Sequence, residues 1–476
     1  MADELTWLST RELAARIAAG EVSAREAVRS HLERIEEVNG ELNAVIALDA
    51  EGALRRAAEA DAVHAAGESS GLLHGVPMTH KDSHAVAGMP TTWGSPLLRD
   101  AVAEEDSLPV ARLRAAGVVT TGKTNLPELG AGSHTFNPLF GITRNPYDRS
   151  RSAAGSSGGA AAVIAAGVQG AGDGSDMGGS LRTPGSFNNI VGFRPSEGRL
   201  PSIAPNPWAW MTRSGCMARE VGDVALLMQA MSGPHPAGPG SIRESGEVFA
   251  LPEFELGAHY EPALTGLRVG FSTDLGGLVA VEPEVREIVD GAAAVLSALG
   301  AAVEEAAIDL RDAEEVFRTQ RAYDFFCGFG ELAAAHPGGI KDFVEENIEK
   351  GRALTASDLR DRDRARTRLA AAVRTFFASH DVMVCTSSQV LPFDAEIEYP
   401  LTVNGVEMPD YLGWMGAATL ISATGCPAVS VPGGFSAEGL PVGVQMVAAP
   451  GRDVDLLRVA HAFEAATGHS RRRPEL

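Results

Sequence analysis

The chain has 476 residues, 45% hydrophobic and 21% charged. At ~150 residues per domain that allows about three units or one large α/β body, and the apolar share excludes a disordered chain or a small disulfide-built scaffold. Against 40 basic residues stand 62 acidic ones, a net charge of −22, which repels phosphate backbones and anionic lipid, so neither nucleic acid nor a membrane surface is expected as partner.

The opening Met1-Ala-Asp-Glu-Leu-Thr-Trp7 is acidic and lacks the basic and apolar runs of an export signal. The longest small-apolar stretch, Ala160–Val168, is far shorter than the ~20 residues of a membrane helix. Cys216, Cys327, Cys385 and Cys426 are scattered without a CxxC pair, which reads as buried reduced thiols in a cytoplasmic protein.

In chain order, the first ~65 residues read as helices. Ser9-Thr-Arg-Glu12 and Ser23-Ala-Arg-Glu26 both have the capping-box form, a hydroxyl with Glu three residues on. Val28, Leu32, Ile35 and Val38 then recur at helical spacing until Asn39-Gly40, the expected stop. Ala53–Ala66 reads as a third, Ala-rich helix. Residues 1–70 are therefore expected as a helical layer on a main body formed by 71–476, the whole making one compact domain.

From about Gly71, short apolar runs alternate with helices. Val118–Thr121, Leu267–Phe271, Val382–Cys385, Ala428–Val431 and Val442–Val447 read as buried strands; Ala160–Ala166, Val285–Leu299 and Asp455–Ala466 read as helices. That alternation predicts an α/β fold with a sheet covered on both faces. The Gly-, Pro- and Glu-rich stretch from Gly233 to Pro262 reads as a surface excursion.

Two motifs mislead. Gly117-Val-Val-Thr-Thr-Gly122-Lys123-Thr124 fits the phosphate-loop pattern GxxxxGK[ST], which would make a nucleotide-binding protein. Val-Val-Thr-Thr, however, prefers to be strand, and Leu126 before Pro127 is biased away from the helix such a loop must enter. His80 and His84 flank Lys81, but no third ligand follows at metal-site spacing, so they read as structural and no metal is expected.

The chemistry lies in two Gly/Ser turns, Ser152-Ala-Ala-Gly-Ser156-Ser157-Gly-Gly159 and Gly172-Asp-Gly-Ser175-Asp176-Met177-Gly178-Gly179-Ser180-Leu-Arg182-Thr-Pro184. Separated by one short helix, they bring serine hydroxyls and bare N–H groups together, as a hydroxyl nucleophile beside an oxyanion hole requires. No histidine lies in either turn. The candidate base is Lys81, ending Gly75-Val-Pro-Met-Thr-His-Lys81-Asp82. A lysine acts so only when neutral; a pKa near 7–8 implies a penalty of ~4 kcal/mol against its charged form, which apolar burial can supply. A surface Lys81 paired with Asp82 is the alternative.

Together, GxPxxxKD at Gly75–Asp82, Gly-Ser-Ser-Gly-Gly at 155–159 and Gly-Ser-Asp-x-Gly-Gly-Ser-x-Arg-x-Pro at 174–184 resemble the amidase signature family. Lys81 and Ser156 lie 75 residues apart and Ser156 and Ser180 24 apart, as in that family. Val191-Gly-Phe-Arg-Pro-Ser-x-Gly-Arg199, Cys216-Met-Ala-Arg219 and Gly439-Leu-Pro-Val-Gly-Val-Gln445 extend the likeness from about Leu5 to Thr467. The chain departs from the family at Ala154, where glycine is usual, at Met177, where threonine or isoleucine is common, and at Asn188-Asn189, often Cys-Gly.

The resemblance implies an α/β fold with a large mixed central sheet and a Ser–cis-Ser–Lys hydrolase that needs no cofactor. Ser180 matches the nucleophile, Ser156 the bridging serine after a cis peptide bond, and Lys81 the base. The N–H groups of Met177, Gly178, Gly179 and Ser180 match the oxyanion hole. Ser157, Ser175, Asp176 and Arg182 are expected in support, the last two as a buried ion pair. The implied partners are a small-molecule amide and water, with a homodimer open.

In that family the segment after Arg199 and parts of the C-terminal half line the acyl pocket. Here these hold Trp208 and Trp210 in the loop Pro201–Met211, Tyr323, Phe325 and Phe326, and Trp414-Met415. Lining by such rings favours an apolar or aryl amide or anilide, with carbamate and ester cleavage open to the same machinery; core packing is the competing role for them. The rival reading is a glutamine-amidotransferase subunit releasing ammonia for a tRNA-modifying partner.

Overall fold

The computed structural model describes residues 5–203, 206–257 and 260–476. Helix formation at the start of the chain follows from its caps. Ahead of helix Thr10–Ala18, the Ser9 hydroxyl accepts from the Glu12 N–H while the Glu12 carboxylate accepts from the Ser9 N–H at 2.9 Å. Ser23 and Glu26 repeat the arrangement ahead of helix Ala24–Leu42. Each box satisfies two N–H groups that a helix start leaves bare.

The second helix runs through Asn39-Gly40, the expected stop, and ends at Asn43 with a left-handed φ of 50°. Asn39 stays helical because its side chain works elsewhere. Its amide oxygen accepts from the N–H groups of Ala44 and Val45, and its amide N–H donates to the Val45 carbonyl.

A strand then interrupts the region expected to be helical throughout. Strand β1, Val45–Leu48, is the edge of a three-stranded sheet completed by β2, Pro77–Lys81, and β3, Val119–Thr124. The central β3 runs antiparallel to β1 and parallel to β2. Four residues are too few for a strand alternation to stand out between two helices. The third helix follows at Ala50–Ala65.

Strand β3 contains the phosphate-loop pattern, and its glycine and lysine serve packing. A Cβ at Gly122 would lie 2.3 Å from the Ala47 carbonyl oxygen, so only glycine lets β1 approach this closely. The Lys123 ammonium is buried 3.3 Å from Asp82 Oδ1 and donates to the Pro90 carbonyl at 3.1 Å. Asp82 is thus the partner of Lys123, not of Lys81.

The central sheet is mixed and has eight strands: β4, Ala171–Asp176; β5, Val191–Arg194; β6, Arg213–Ala218; β7, Arg268–Phe271; β8, Ala302–Glu305; β9, Val382–Thr386; β10, Ala428–Phe435; and β11, Pro441–Ala448. Their order is β8-β7-β9-β11-β10-β5-β6-β4, parallel at β8/β7 and β7/β9 and antiparallel elsewhere. The apolar runs predicted as strands fall on β3, β7, β9, β10 and β11. Helices cover both faces, as the predicted α/β class requires, among them Gly158–Ala165, Pro283–Ala298 and Asp453–Thr467 at the three sites read from sequence.

Two local expectations change. The excursion from Gly233 is held to the body by Phe249 and Phe254, both buried in the main core; residues 258 and 259 within it lie outside the described residues. Cys216, Cys385 and Cys426 are buried free thiols, but Cys327 sits on the solvent face of its helix. Among the described residues no helix is long and apolar enough to cross a membrane.

The Lys123 assignment has two measurable consequences. Asp82→Ala leaves a buried ammonium without its carboxylate and is expected to cost about 3–5 kcal/mol in denaturant unfolding, whereas a loss below about 1 kcal/mol would contradict the pairing. Mg-ATP is expected to leave Tm unchanged; a clear upward shift would restore the nucleotide reading.

Candidate active site

Lys81 ends β2, and its side chain enters the interior where the two Gly/Ser turns meet. It is 1% exposed, and its Nζ lies 2.8 Å from Ser156 Oγ, 2.9 Å from Ser157 Oγ and 3.0 Å from Ser175 Oγ. Three hydroxyls surround the nitrogen, and no carboxylate touches it among the described residues.

The nearby carboxylates are bound to other groups. Asp173 receives His80 Nδ1–H, His84 Nδ1–H at 3.0 Å and the Lys81 backbone N–H at 2.9 Å. Burial opposes the charge on Asp173, yet the two histidines hold its pKa far below the ordinary carboxylate value. Asp176 accepts from Arg182 Nε at 3.1 Å and Nη2 at 2.9 Å, with Arg194 alongside. Burial opposes that charge too, and the two guanidinium groups keep Asp176 ionised.

For Lys81 itself, burial outweighs the attraction of Asp176 and Asp173 and brings the pKa down to about 7. From 10.5, that corresponds to roughly 5 kcal/mol against the charged form. A neutral amine has two N–H groups and one lone pair, so one of its three neighbours must donate to it. The Ser157 hydroxyl is directed to the Ser175 carbonyl at 3.3 Å, so the one donor to the lone pair is either the Ser156 or the Ser175 hydroxyl.

The turn before helix Gly158–Ala165 contains a cis peptide bond between Gly155 and Ser156. It is tied to the second turn by the Ser157 N–H, which donates to the Ser180 carbonyl at 3.2 Å. Ser180 is 8% exposed, and its hydroxyl has no hydrogen-bond partner among the described residues. The structure thus joins Lys81 to Ser156 through their side chains and ties the Ser180 backbone to the same turn, with no hydrogen bond between the Ser156 and Ser180 hydroxyls; catalytic hydrogen bonds of this kind often tighten only around a substrate.

The Met177–Ser180 segment, expected to supply an oxyanion hole, differs in one respect from that expectation. The Gly179 N–H donates to Asp176 Oδ1 at 2.9 Å and is therefore engaged. The N–H groups of Met177, Gly178 and Ser180 make no hydrogen bond among the described residues, so the free donors number three. Gly179 has a φ of +112°, and a Cβ there would lie 2.6 Å from that of Ala418. Arg182 braces this backbone from below, donating also to Gln445 at 2.6 Å and Ser422 at 2.7 Å.

The expected pocket residues scatter. Trp208 is 75% exposed, Ala204 and Pro205 of its loop lie outside the described residues, and Trp210 lies under the Arg366 guanidinium at 3.6 Å. Trp414 packs into the main core beside Phe187 and Phe393. Tyr323 is half-buried, and Phe326 packs on the cluster around Leu129 and Val344. In their place, one face of helix Ala313–Ala335 meets Met177 and Gly178. A Cβ at Gly178 would lie 2.8 Å from the Phe317 ring, Arg321 Nη1 reaches Met177 Sδ at 3.2 Å, and Phe325 and Met177 share a cluster. Phe317, Arg321 and Phe325 recur every four residues, the spacing of one helical face. That periodicity is the available signal in the sequence, and the denser run of aromatics around it masks it.

The amidase family profile matches residues 26–457. The chain is 35% identical over 475 residues to an acylamidase of Rhodococcus erythropolis, covering 99% of this chain and 98% of that protein. It is 34% identical over 498 residues to a glutamyl-tRNA(Gln) amidotransferase subunit of Moorella thermoacetica, covering 99% of each. It superposes on the crystal structure of a bacterial aryl acylamidase of the amidase signature family with a TM-score of 0.89 and 29% identity, covering 98% of this chain and 97% of that one. With a family match over most of its length and relatives aligned end to end, the chain belongs to the amidase signature family.

Proposed function

We propose that this chain is an amidohydrolase that cleaves a C–N amide bond through an acyl-enzyme on Ser180. The observation that carries the reading is the buried Lys81 amine, held by three serine hydroxyls and touched by no carboxylate among the described residues. In the resting site Ser156 O–H donates to the Lys81 lone pair. As Ser180 Oγ attacks the substrate carbonyl carbon, its proton passes to Ser156 and the Ser156 proton to Lys81. The carbonyl oxygen becomes an oxyanion held by the N–H groups of Met177, Gly178 and Ser180. The proton then returns along the same path to the amide nitrogen, the C–N bond breaks, and the amine leaves. Water attacks the ester on Ser180 with Lys81 again as base, releasing the acid and restoring both hydroxyls.

An acyl or aryl amide or anilide is the proposed substrate class, supported by Phe317 and Phe325 beside the oxyanion segment and by the acylamidase and aryl acylamidase relatives. The four free cysteines fit a reducing compartment, and we place the protein in the cytoplasm. The amidotransferase relative keeps one second reading in view. Glutaminase activity that arises only with partner proteins would favour it, whereas the hydrolase releases acid and amine alone.

Ser180→Ala is expected to abolish turnover with Tm retained; near-normal activity would remove Ser180 as nucleophile. Lys81→Ala is expected to lower kcat by about 10³-fold or more. Because Lys81 accepts a proton only when neutral, kcat/KM rises with pH and levels off above its pKa of about 7. A profile flat from about pH 5 to 9 would contradict the proposed base.

A further inference from the structure

Helix Ala313–Ala335 carries two arginines one turn apart in very different surroundings. Arg318 is paired with Asp410 at 2.6 Å and with Glu314 at 2.8 Å. Arg321 is 5% exposed and forms no ion pair among the described residues. Its Nε and Nη2 both donate to Tyr411 Oη, at 3.1 and 2.7 Å, and its Nη1 meets the thioether sulfur of Met177. Asp324, three residues on, takes its hydrogen bond from Gln320 instead, at 2.8 Å.

A buried guanidinium is ordinarily compensated by a carboxylate, because its desolvation is costly and a phenol or thioether returns little of it. Here the surroundings add donors. Asn347 also points its amide N–H at Tyr411 Oη, at 3.1 Å, so one phenol oxygen faces three N–H donors. Of the five guanidinium N–H groups, three are engaged and two are left over. The rings of Phe325 and Tyr411 lie against the guanidinium, 4.2 and 5.6 Å from its carbon, and fix its plane. A donor surplus around a buried, oriented cation is the complement of an anion. Its place is set by Met177, which belongs to the segment proposed to hold the oxyanion.

We propose that Arg321, with Tyr411 and Asn347, binds a carboxylate carried by the substrate, so that the preferred amides bear an acidic group beside an apolar or aryl portion. This rests on the amidohydrolase reading and narrows its substrate class. Arg321 is then a specificity-determining residue: its guanidinium binds the anion bidentately and holds the scissile carbonyl over Ser180, while Phe317 and Phe325 accommodate the apolar part. The enzyme's overall charge of −22 offers such a substrate no long-range attraction, so its selection falls to local contacts with Arg321.

The test compares two substrate pairs with the full-length protein, reading amine release. N-phenylsuccinamate against N-phenylbutanamide places the acid on the acyl side, and 4-acetamidobenzoate against 4-methylacetanilide places it on the amine side. In the wild type, the acid of at least one pair is expected to exceed its neutral partner in kcat/KM by about ten-fold or more. Arg321→Gln should bring that ratio close to one, chiefly through KM, and Arg321→Lys should restore part of it. The wild-type ratio needs no variant and stands if Arg321→Gln folds poorly. Equal or better turnover of the neutral member in both pairs, or an Arg321→Gln variant that slows acid and neutral members alike, overturns the inference and leaves the hydrolase reading standing. Absence of amine release from all four, with Ser180 unlabelled by a phosphonyl fluoride, overturns the hydrolase reading and the inference together.

Discussion

The proposed chemistry depends on one amine that can give up its charge inside the protein near neutral pH, which burial brings within reach for Lys81. A carboxylate in contact with the Lys81 side chain would stabilise the ammonium form and remove the lone pair that a base needs. The architecture avoids that contact. Asp173 is surrounded by His80, His84 and the Lys81 backbone N–H, and Asp176 by Arg182 and Arg194, so each buried acid meets its charge requirement without the Lys81 side chain. The amine is left with three alcohols, which serve it as hydrogen-bond partners without stabilising its positive charge as a carboxylate would.

That electrostatic partition also builds the geometry. The Asp176–Arg182 pair holds the second turn with the Gly179 N–H bound to Asp176 and the N–H groups of Met177, Gly178 and Ser180 without a partner among the described residues. The same arginine reaches Gln445 on β11 and Ser422 on helix Gly416–Thr424, anchoring the Met177–Ser180 segment to the central sheet. In the proposed reaction the base comes from the small sheet and the nucleophile from the turn after β4 of the large one. That chemistry requires the two sheets to keep a fixed relation, and buried polar links such as Thr79 to Gln169 at 2.8 Å supply it.

What can be read from sequence follows local rules. The capping boxes at Ser9 and Ser23 and the five apolar strand runs depend on neighbours a few residues away, and each is where its pattern places it. The two Gly/Ser turns and Lys81 are legible as a set because their spacing is particular. What escapes depends on contacts between distant segments. β1 is a strand because β3 offers an edge, and the helix before it continues because Asn39 turns to Val45. Gly179 loses its N–H to an acid that the sequence pattern pairs only with Arg182. The wall beside Met177 comes from a helix some 140 residues downstream, and composition points to the tryptophan-bearing segments instead.

The protonation state of Lys81 can be observed without any substrate. The chain contains four lysines, Lys81, Lys123, Lys341 and Lys350, so ¹³Cε-lysine NMR yields a spectrum simple enough to titrate residue by residue. With Lys81 identified by its absence in Lys81→Met, its resonance is expected to titrate around pH 7 in the folded protein. A Lys81 signal that stays protonated to about pH 10 or above, the range of an unperturbed lysine, would show a charged ammonium at the centre of the site and contradict the account.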